Sequence, residues 1–203
     1  MSEILFNISN VIGLIVFSFV GGLKAGREKF DLFGIAVVGY ATALGGGTIR
    51  DILINKKPLI LYSIYDVLFS SLGIVFSLLA LFILNKNFLQ NKLILYLDAI
   101  GLSAFTTTGV LIAYKYNTTA FGVIVLGILT GTGGGLIADI LMKKTPTILK
   151  EDFYAMCSLI GGIGFIIFIN YSLTLATLIC FFITLLTRVL TIHYNWNVKI
   201  FTG

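Results

Sequence analysis

Long apolar runs with few or no charged residues constrain this chain more than any other feature. The first, Ile4–Leu23, is apolar on every helical face and is about as long as the ~20 residues a helix needs to cross a bilayer. A transmembrane β-barrel would alternate apolar and polar residues, and these runs do not. The composition, 58% hydrophobic and 11% charged, also departs from the roughly 45–50% and 25% of soluble domains. We therefore expect an all-α polytopic membrane protein.

The apolar runs predict seven transmembrane helices, so the two termini lie on opposite sides. The predicted spans are Ile4–Leu23, Leu32–Leu53, Pro58–Asn85, Leu93–Tyr114, Thr119–Leu141, Phe153–Asn170 and Leu173–Thr191. One side carries three basic residues, and the other carries ten, among them Lys24, Arg27, Lys29, Lys86, Lys143, Lys144 and Lys199. Because basic loops stay in the cytoplasm, we expect the amino terminus outside and the carboxyl terminus inside, in the plasma membrane. The net charge of +5 thus needs no nucleic-acid partner.

An internal repeat relates the two halves of the chain. Residues 12–58 align on residues 100–146 without a gap at an offset of 88, with 21 identities in 47 positions. Each copy spans three helices. Since three is odd, the second copy enters the membrane from the opposite side, an inverted-repeat architecture that places transport pathways at the repeat interface. We divide the chain into a first repeat (1–92), a second repeat (93–171), and a seventh helix with the carboxyl terminus (172–203).

Three consecutive glycines interrupt the middle helix of each repeat, at Gly45, Gly46 and Gly47 and at Gly133, Gly134 and Gly135. A glycine costs roughly 1 kcal/mol against alanine inside a helix, so three together make a weak point. One interpretation is a pair of broken helices that line a polar path. The other is close helix packing through small residues, as in Gly39-xxx-Ala43 and Gly127-xxx-Gly131.

An aspartate follows each triglycine, Asp51 in the first repeat and Asp139 in the second. Charges at membrane depth are costly and mark functional sites. Carboxylates near both mouths, with glycine carbonyls and the Thr42 and Thr130 hydroxyls between them, would suit a permeating cation. Alternatively, the two aspartates cap helix amino termini or pair with a basic neighbour such as Arg50.

The repeats differ beside these aspartates. Thr48 and Arg50 of the first repeat correspond to leucine and alanine in the second. Arg50 either forms a salt bridge with an acidic residue or narrows the path. Ser18, Thr106 and Thr107 could also face the path, although such hydroxyls often bond their own backbone. Asp66 and Asp98, near helix ends, favour interfacial capping.

These motifs resemble those of the prokaryotic trimeric intracellular cation (TRIC) channels, within a wider family of small bacterial membrane proteins that includes proteins described as glycine transporters. The paired Gly-Gly-Gly-x-Ile-x-Asp sequences at 45–51 and 133–139 carry the resemblance. It implies a homotrimer in which each subunit holds its own pore, with the second and fifth helices kinked at the glycines.

Two functions fit the sequence. The first is a monovalent-cation channel, permeable to potassium and sodium, set among membrane lipids. The second is a secondary transporter of a small amino acid such as glycine, which inverted repeats suit equally well. One histidine and no catalytic constellation argue against an enzyme. We expect no cofactor and no metal beyond permeating monovalent cations.

Overall fold

The computed structural model describes residues 2–83, 91–150 and 153–196, which form a bundle of α-helices. The helices are α1 (Ser2–Arg27), α2 (Leu32–Leu53), α3 (Ile64–Ile83), α4 (Asn91–Lys115), α5 (Ala120–Leu141), α6 (Thr147–Lys150), α7 (Tyr154–Phe168) and α8 (Leu173–Tyr194). A short 3₁₀ helix, Leu59–Leu61, precedes α3. Lys86, Lys199 and the predicted end of the third span at Asn85 lie outside the described residues.

Six of these helices are long and apolar enough to cross a membrane, namely α1–α5 and α8. The remaining predicted span, Phe153–Asn170, contains α7, which has only 15 residues. At 1.5 Å per residue, α7 is roughly 22 Å long, shorter than the hydrocarbon core. The predicted fold class is confirmed, with this one span shorter than expected.

The two repeats are inverted, as predicted. Lys115 at the end of α4 lies 3.9 Å from Glu3 at the start of α1, while Lys24 near the end of α1 lies 3.8 Å from Asp98 near the start of α4. The two first helices of the repeats are therefore antiparallel. We call the end of the bundle at which α1 begins the N face, and the opposite end, at which α8 ends, the C face.

The third helices of the two repeats pack differently. In the first repeat α3 packs along α1, where Gly22 lies against Ser77 and Gly26 against Leu81. The corresponding residues of α4 are Val110 and Tyr114, whose side chains prevent so close an approach. The seventh span, α8, packs against both α4 and α7. Larger side chains at these two α4 positions thus distinguish α4 from α1, whose glycines admit α3 closely.

Candidate functional site

The middle helices α2 and α5 cross at their triglycine segments through reciprocal contacts. Gly46 lies against the backbone carbonyl of Thr130, and Gly134 lies against that of Thr42. A Cβ at either glycine would overlap the opposing carbonyl oxygen. Since 46 and 134, like 42 and 130, are 88 residues apart, the two contacts are related by the inverted repeat. The missing side chains let the two backbones touch.

The expectation of broken helices is wrong. The structure assigns α2 and α5 as continuous helices through Gly45, Gly46 and Gly47 and through Gly133, Gly134 and Gly135. The glycines are required by the crossing itself, because close packing of small residues brings helices together without breaking their backbone hydrogen bonds. Close packing was the alternative interpretation of the motif.

The three glycines of each segment have different surroundings. A Cβ on Gly45 would lie 2.8 Å from Ile137, and one on Gly133 would lie 3.1 Å from Ile49, so the first glycines pack across the crossing as well. The third glycines do not. A Cβ on Gly47 would meet only the Arg50 guanidinium, at 3.6 Å, and one on Gly135 would meet nothing within 4 Å.

A small polar cavity opens on the N-face side of the crossing. Its volume is about 30 Å³, enough for one or two water molecules. Polar side chains from α1, α2 and α3 surround it, and Phe105 and Thr130 contribute from α4 and α5. Its lining residues are Asn10, Leu14, Ala43, Leu44, Gly47, Thr48, Arg50, Asp51, Leu59, Ile60, Asp66, Phe105 and Thr130.

Arg50 and Asp51 form a buried ion pair on the wall of this cavity. The Arg50 Nε and Nη2 atoms both donate to Asp51 Oδ1, at 2.9 and 2.8 Å. Arg50 is 4% exposed and Asp51 is 1% exposed. The salt-bridge interpretation of Arg50 therefore fits the structure, and its guanidinium also lines the cavity.

Both aspartates bind the start of the short helix that follows their own span. Asp51 Oδ2 accepts from the Leu59 backbone N–H at 3.1 Å, and Asp139 Oδ2 accepts from the Thr147 N–H at 2.7 Å. Leu59 and Thr147 are repeat-related. Asp139 lacks an arginine neighbour and accepts instead from the Thr147 hydroxyl, at 2.9 Å. The capping alternative thus describes both carboxylates.

A wider vestibule opens on the C face. Its volume is about 740 Å³, and Asp139 and Thr147 lie on its wall. Four of its ten lining residues are basic, and the full lining comprises Lys24, Arg27, Ile94, Leu95, Asp139, Met142, Lys143, Lys144, Thr145 and Thr147. The cavity and the vestibule therefore lie on opposite sides of the α2–α5 crossing, and each contains one of the paired aspartates.

Most predicted path hydroxyls bond their own helix. Five of these hydroxyls donate to the backbone carbonyl four residues earlier: Thr42 to Val38 O (2.7 Å), Thr130 to Leu126 O (2.6 Å), Thr48 to Leu44 O (2.8 Å), Ser18 to Leu14 O (2.7 Å) and Thr107 to Ser103 O (2.8 Å). The Thr106 hydroxyl bonds the Ser158 hydroxyl at 2.8 Å. Of these six, Thr48 and Thr130 line the N-face cavity.

The sequence did not identify two of the cavity residues as part of the path. Asn10 Nδ2 donates to Asp66 Oδ1 at 3.1 Å, and both side chains line the cavity. The sequence predicts interfacial capping for Asp66, whereas its carboxylate accepts a hydrogen bond from α1. The available signal was an asparagine at the α1 position that corresponds to Asp98, since both are strongly polar residues within predicted apolar spans.

Together, these features define a polytopic membrane protein built on two inverted helical repeats, with polar spaces on both sides of a glycine-rich crossing. The chain matches the family model described as "Glycine transporter" over residues 7–84 and 95–170. It also matches the UPF0126 membrane protein YvgT of Bacillus subtilis, at 34% identity over 93% of this chain and 92% of the relative. The chain belongs to this family.

Solved structures of TRIC channels share the fold. A structure concerned with conductance through TRIC cation channels is 36% identical, with a TM-score of 0.81 over 98% of this chain and 99% of the other. A prokaryotic TRIC channel in 0.5 M KCl is 33% identical, with a TM-score of 0.89 over 98% and 100%. A trimeric intracellular cation channel orthologue from Rhodobacter sphaeroides is 27% identical, with a TM-score of 0.84 over 94% and 98%. These similar proteins are channels rather than enzymes, and the chain is a member of their family.

Proposed function

We propose that this protein is a monovalent-cation channel, permeable to potassium and sodium, with a path inside each subunit. The observation that carries the proposal is the position of the two polar spaces. The N-face cavity beside Asp51 and the C-face vestibule beside Asp139 lie at opposite ends of the α2–α5 crossing. An ion path joins them when the crossing separates, because Gly46 and Gly134 close the centre by backbone contact alone.

The comparisons support this proposal. The matched structures concern conductance through cation channels, a channel in KCl, and a trimeric channel. By the same similarity, we propose a homotrimer in the plasma membrane. The excess of basic residues on the C face supports an amino terminus outside and a carboxyl terminus in the cytoplasm.

The test is potassium current through purified protein in planar bilayers. We expect unitary cation currents and a lower conductance in Asp139→Asn, because the partners that the described residues give this carboxylate are the neutral N–H and hydroxyl of Thr147, whereas Arg50 binds Asp51. Asp31→Asn is the matched control, since Asp31 only caps α2 at an exposed turn by accepting from the Gly34 N–H at 2.8 Å. Bilayers that stay silent at all voltages would count against the channel.

A second candidate is secondary transport of a small amino acid. The description of the family model favours it, and antiparallel repeats that meet at one crossing suit alternating access. Counterflow of radiolabelled glycine into proteoliposomes tests it. Saturable uptake that unlabelled alanine inhibits, with no unitary current, would replace the channel proposal.

A further inference from the structure

The side chains that line the N-face cavity carry an excess of negative charge. Three of them are charged, those of Arg50, Asp51 and Asp66. The Arg50 guanidinium and the Asp51 carboxylate compensate each other in their ion pair at 2.8 Å. The Asp66 carboxylate accepts from the neutral Asn10 amide at 3.1 Å, and within the described ranges no basic side chain lies within 4 Å of it. The lining therefore keeps the charge of one carboxylate.

The neutral polar groups of the lining add acceptor oxygens to this charge. Asn10 uses its Nδ2 atom to donate to Asp66 Oδ1, so the Asn10 Oδ1 atom is left as an acceptor. The Thr48 hydroxyl donates its single proton to Leu44 O at 2.8 Å, so its oxygen can only accept a second bond. Carboxylate, amide and hydroxyl oxygens are the ligands that hard cations prefer.

The size and the charge of the cavity suit one monovalent cation. Its volume of about 30 Å³ holds only one or two particles of the size of water. A water molecule would leave the carboxylate charge uncompensated, which is costly away from bulk solvent. A calcium ion takes roughly six to eight oxygen ligands, more than so small a cavity provides.

The second repeat does not reproduce this set of oxygens. At the offset of 88 residues, Leu136 replaces Thr48 and Tyr154 replaces Asp66. The counterpart of Asn10 is Asp98, whose carboxylate is paired with a lysine on the C face. The acceptor-lined cavity therefore belongs to the first repeat, at one end of the α2–α5 crossing.

We infer that the N-face cavity binds one monovalent cation, with Asp66 as the charged ligand and Asn10 and Thr48 as neutral ligands. This step rests on the proposed channel function, because it places the site on the N-face half of that path. Asp66 then attracts the cation at this end, rather than Asp51, whose carboxylate already binds Arg50.

The experiment measures the Tm of the purified full-length protein in detergent while K⁺ replaces N-methyl-D-glucamine at constant ionic strength. The buffer is held at about pH 8, where a carboxylate is ordinarily ionised. Because a ligand of the folded state stabilises it, the Tm should rise with K⁺ and gain about 3–6 °C at roughly ten times the dissociation constant. Asp66→Asn removes the charge at nearly constant size and should abolish this rise.

Glu3→Gln is the matched control for Asp66→Asn. It removes a carboxylate charge from the same face, but the Glu3 side chain is 84% exposed, pairs with Lys115 and lies outside the cavity lining. This variant should keep the full K⁺-dependent rise. Thr48→Val removes one neutral ligand at constant shape, so it should need more K⁺ for the same rise.

The outcomes separate this inference from the proposed function. No K⁺-dependent rise in wild type, an unchanged rise in Asp66→Asn, an equal loss in Glu3→Gln, or a larger rise with Ca²⁺ than with K⁺ would each overturn the inference, even where planar bilayers show unitary currents. Silent bilayers together with a rise that Asp66→Asn abolishes would instead overturn the proposed channel function.

Discussion

Gly46 in α2 and Thr130 in α5 are in backbone contact, with the glycine Cα against the threonine carbonyl. The inverted repeat reproduces this contact at Gly134 and Thr42. Two glycines therefore hold the central helices together at the point that separates the cavity from the vestibule. A change in the distance between α2 and α5 at this point therefore alters both repeats together.

Gly46→Ala should destabilise the protein. The new methyl group would overlap the Thr130 carbonyl oxygen, which is backbone and cannot rotate away. Overpacking of this kind costs about 1–3 kcal/mol. A fall in Tm of about 2–4 °C for each kcal/mol is expected at this chain length. Thermal unfolding of the purified protein in detergent measures the change.

Gly135→Ala is the control for this variant. A methyl group there meets nothing within 4 Å, and alanine favours a helix by up to about 1 kcal/mol over glycine. Its Tm should equal or exceed that of wild type. An equal loss of stability in both variants would show that the glycines matter for something other than the crossing.

Much of this architecture follows from sequence because the apolar runs and the 88-residue repeat reflect strong physical constraints. A three-helix repeat must invert, and the structure confirms the inversion through α1 and α4. The sequence could not decide in the same way whether the glycines break the two middle helices. Three glycines weaken a helix and also permit a close crossing, and only the position of Thr130 opposite Gly46 distinguishes the two. The proposed division of the chain after residues 92 and 171 stays a prediction.

The sequence offered capping and pairing with Arg50 as alternatives for the two aspartates, but it could not assign partners to each. Asp51 and Asp139 occupy equivalent positions in the two repeats, yet Asp51 binds the Arg50 guanidinium and Asp139 binds the Thr147 hydroxyl. The short capped helices begin eight residues beyond the aspartates, a separation at which no local pattern predicts a side-chain contact. Phe105 and Asp66 reach the cavity from helices distant in sequence, so only the folded bundle brings them together.

Arg50→Ala should be strongly destabilising. It leaves the Asp51 carboxylate, 1% exposed, without its guanidinium partner, and breaking one side of a buried ion pair costs about 3–5 kcal/mol. The Tm in detergent should fall accordingly. The double variant Arg50→Ala/Asp51→Asn removes both charges and should recover part of the loss. If the double variant is less stable than Arg50→Ala, the ion pair with Arg50 is not the main interaction that stabilises the Asp51 carboxylate.

Thr147→Val should weaken the connection between α5 and α6. The substitution removes the hydroxyl donor to Asp139 at 2.9 Å but keeps the backbone donor at 2.7 Å. The lost hydrogen bond to a carboxylate should cost about 1.5–3 kcal/mol, measured as a lower Tm. Thr145→Val in the same connector removes a hydroxyl that also lies on the vestibule wall but does not bond Asp139. Equal stabilities of the two variants would contradict the capping role.

Thr130→Val and Thr42→Val should differ in conductance although the two threonines are repeat-related. The Thr130 hydroxyl donates to Leu126 O and the Thr42 hydroxyl donates to Val38 O, each within its own helix. Each hydroxyl also lies against a glycine of a neighbouring helix. Only Thr130 lines the N-face cavity. Both variants should therefore disturb packing similarly, while Thr130→Val alone places a methyl group beside the path and lowers the unitary potassium current. The measurement is single-channel recording at matched salt, with Tm as the check that packing is equally affected. Equal currents in the two variants would mean that cations do not pass through this cavity.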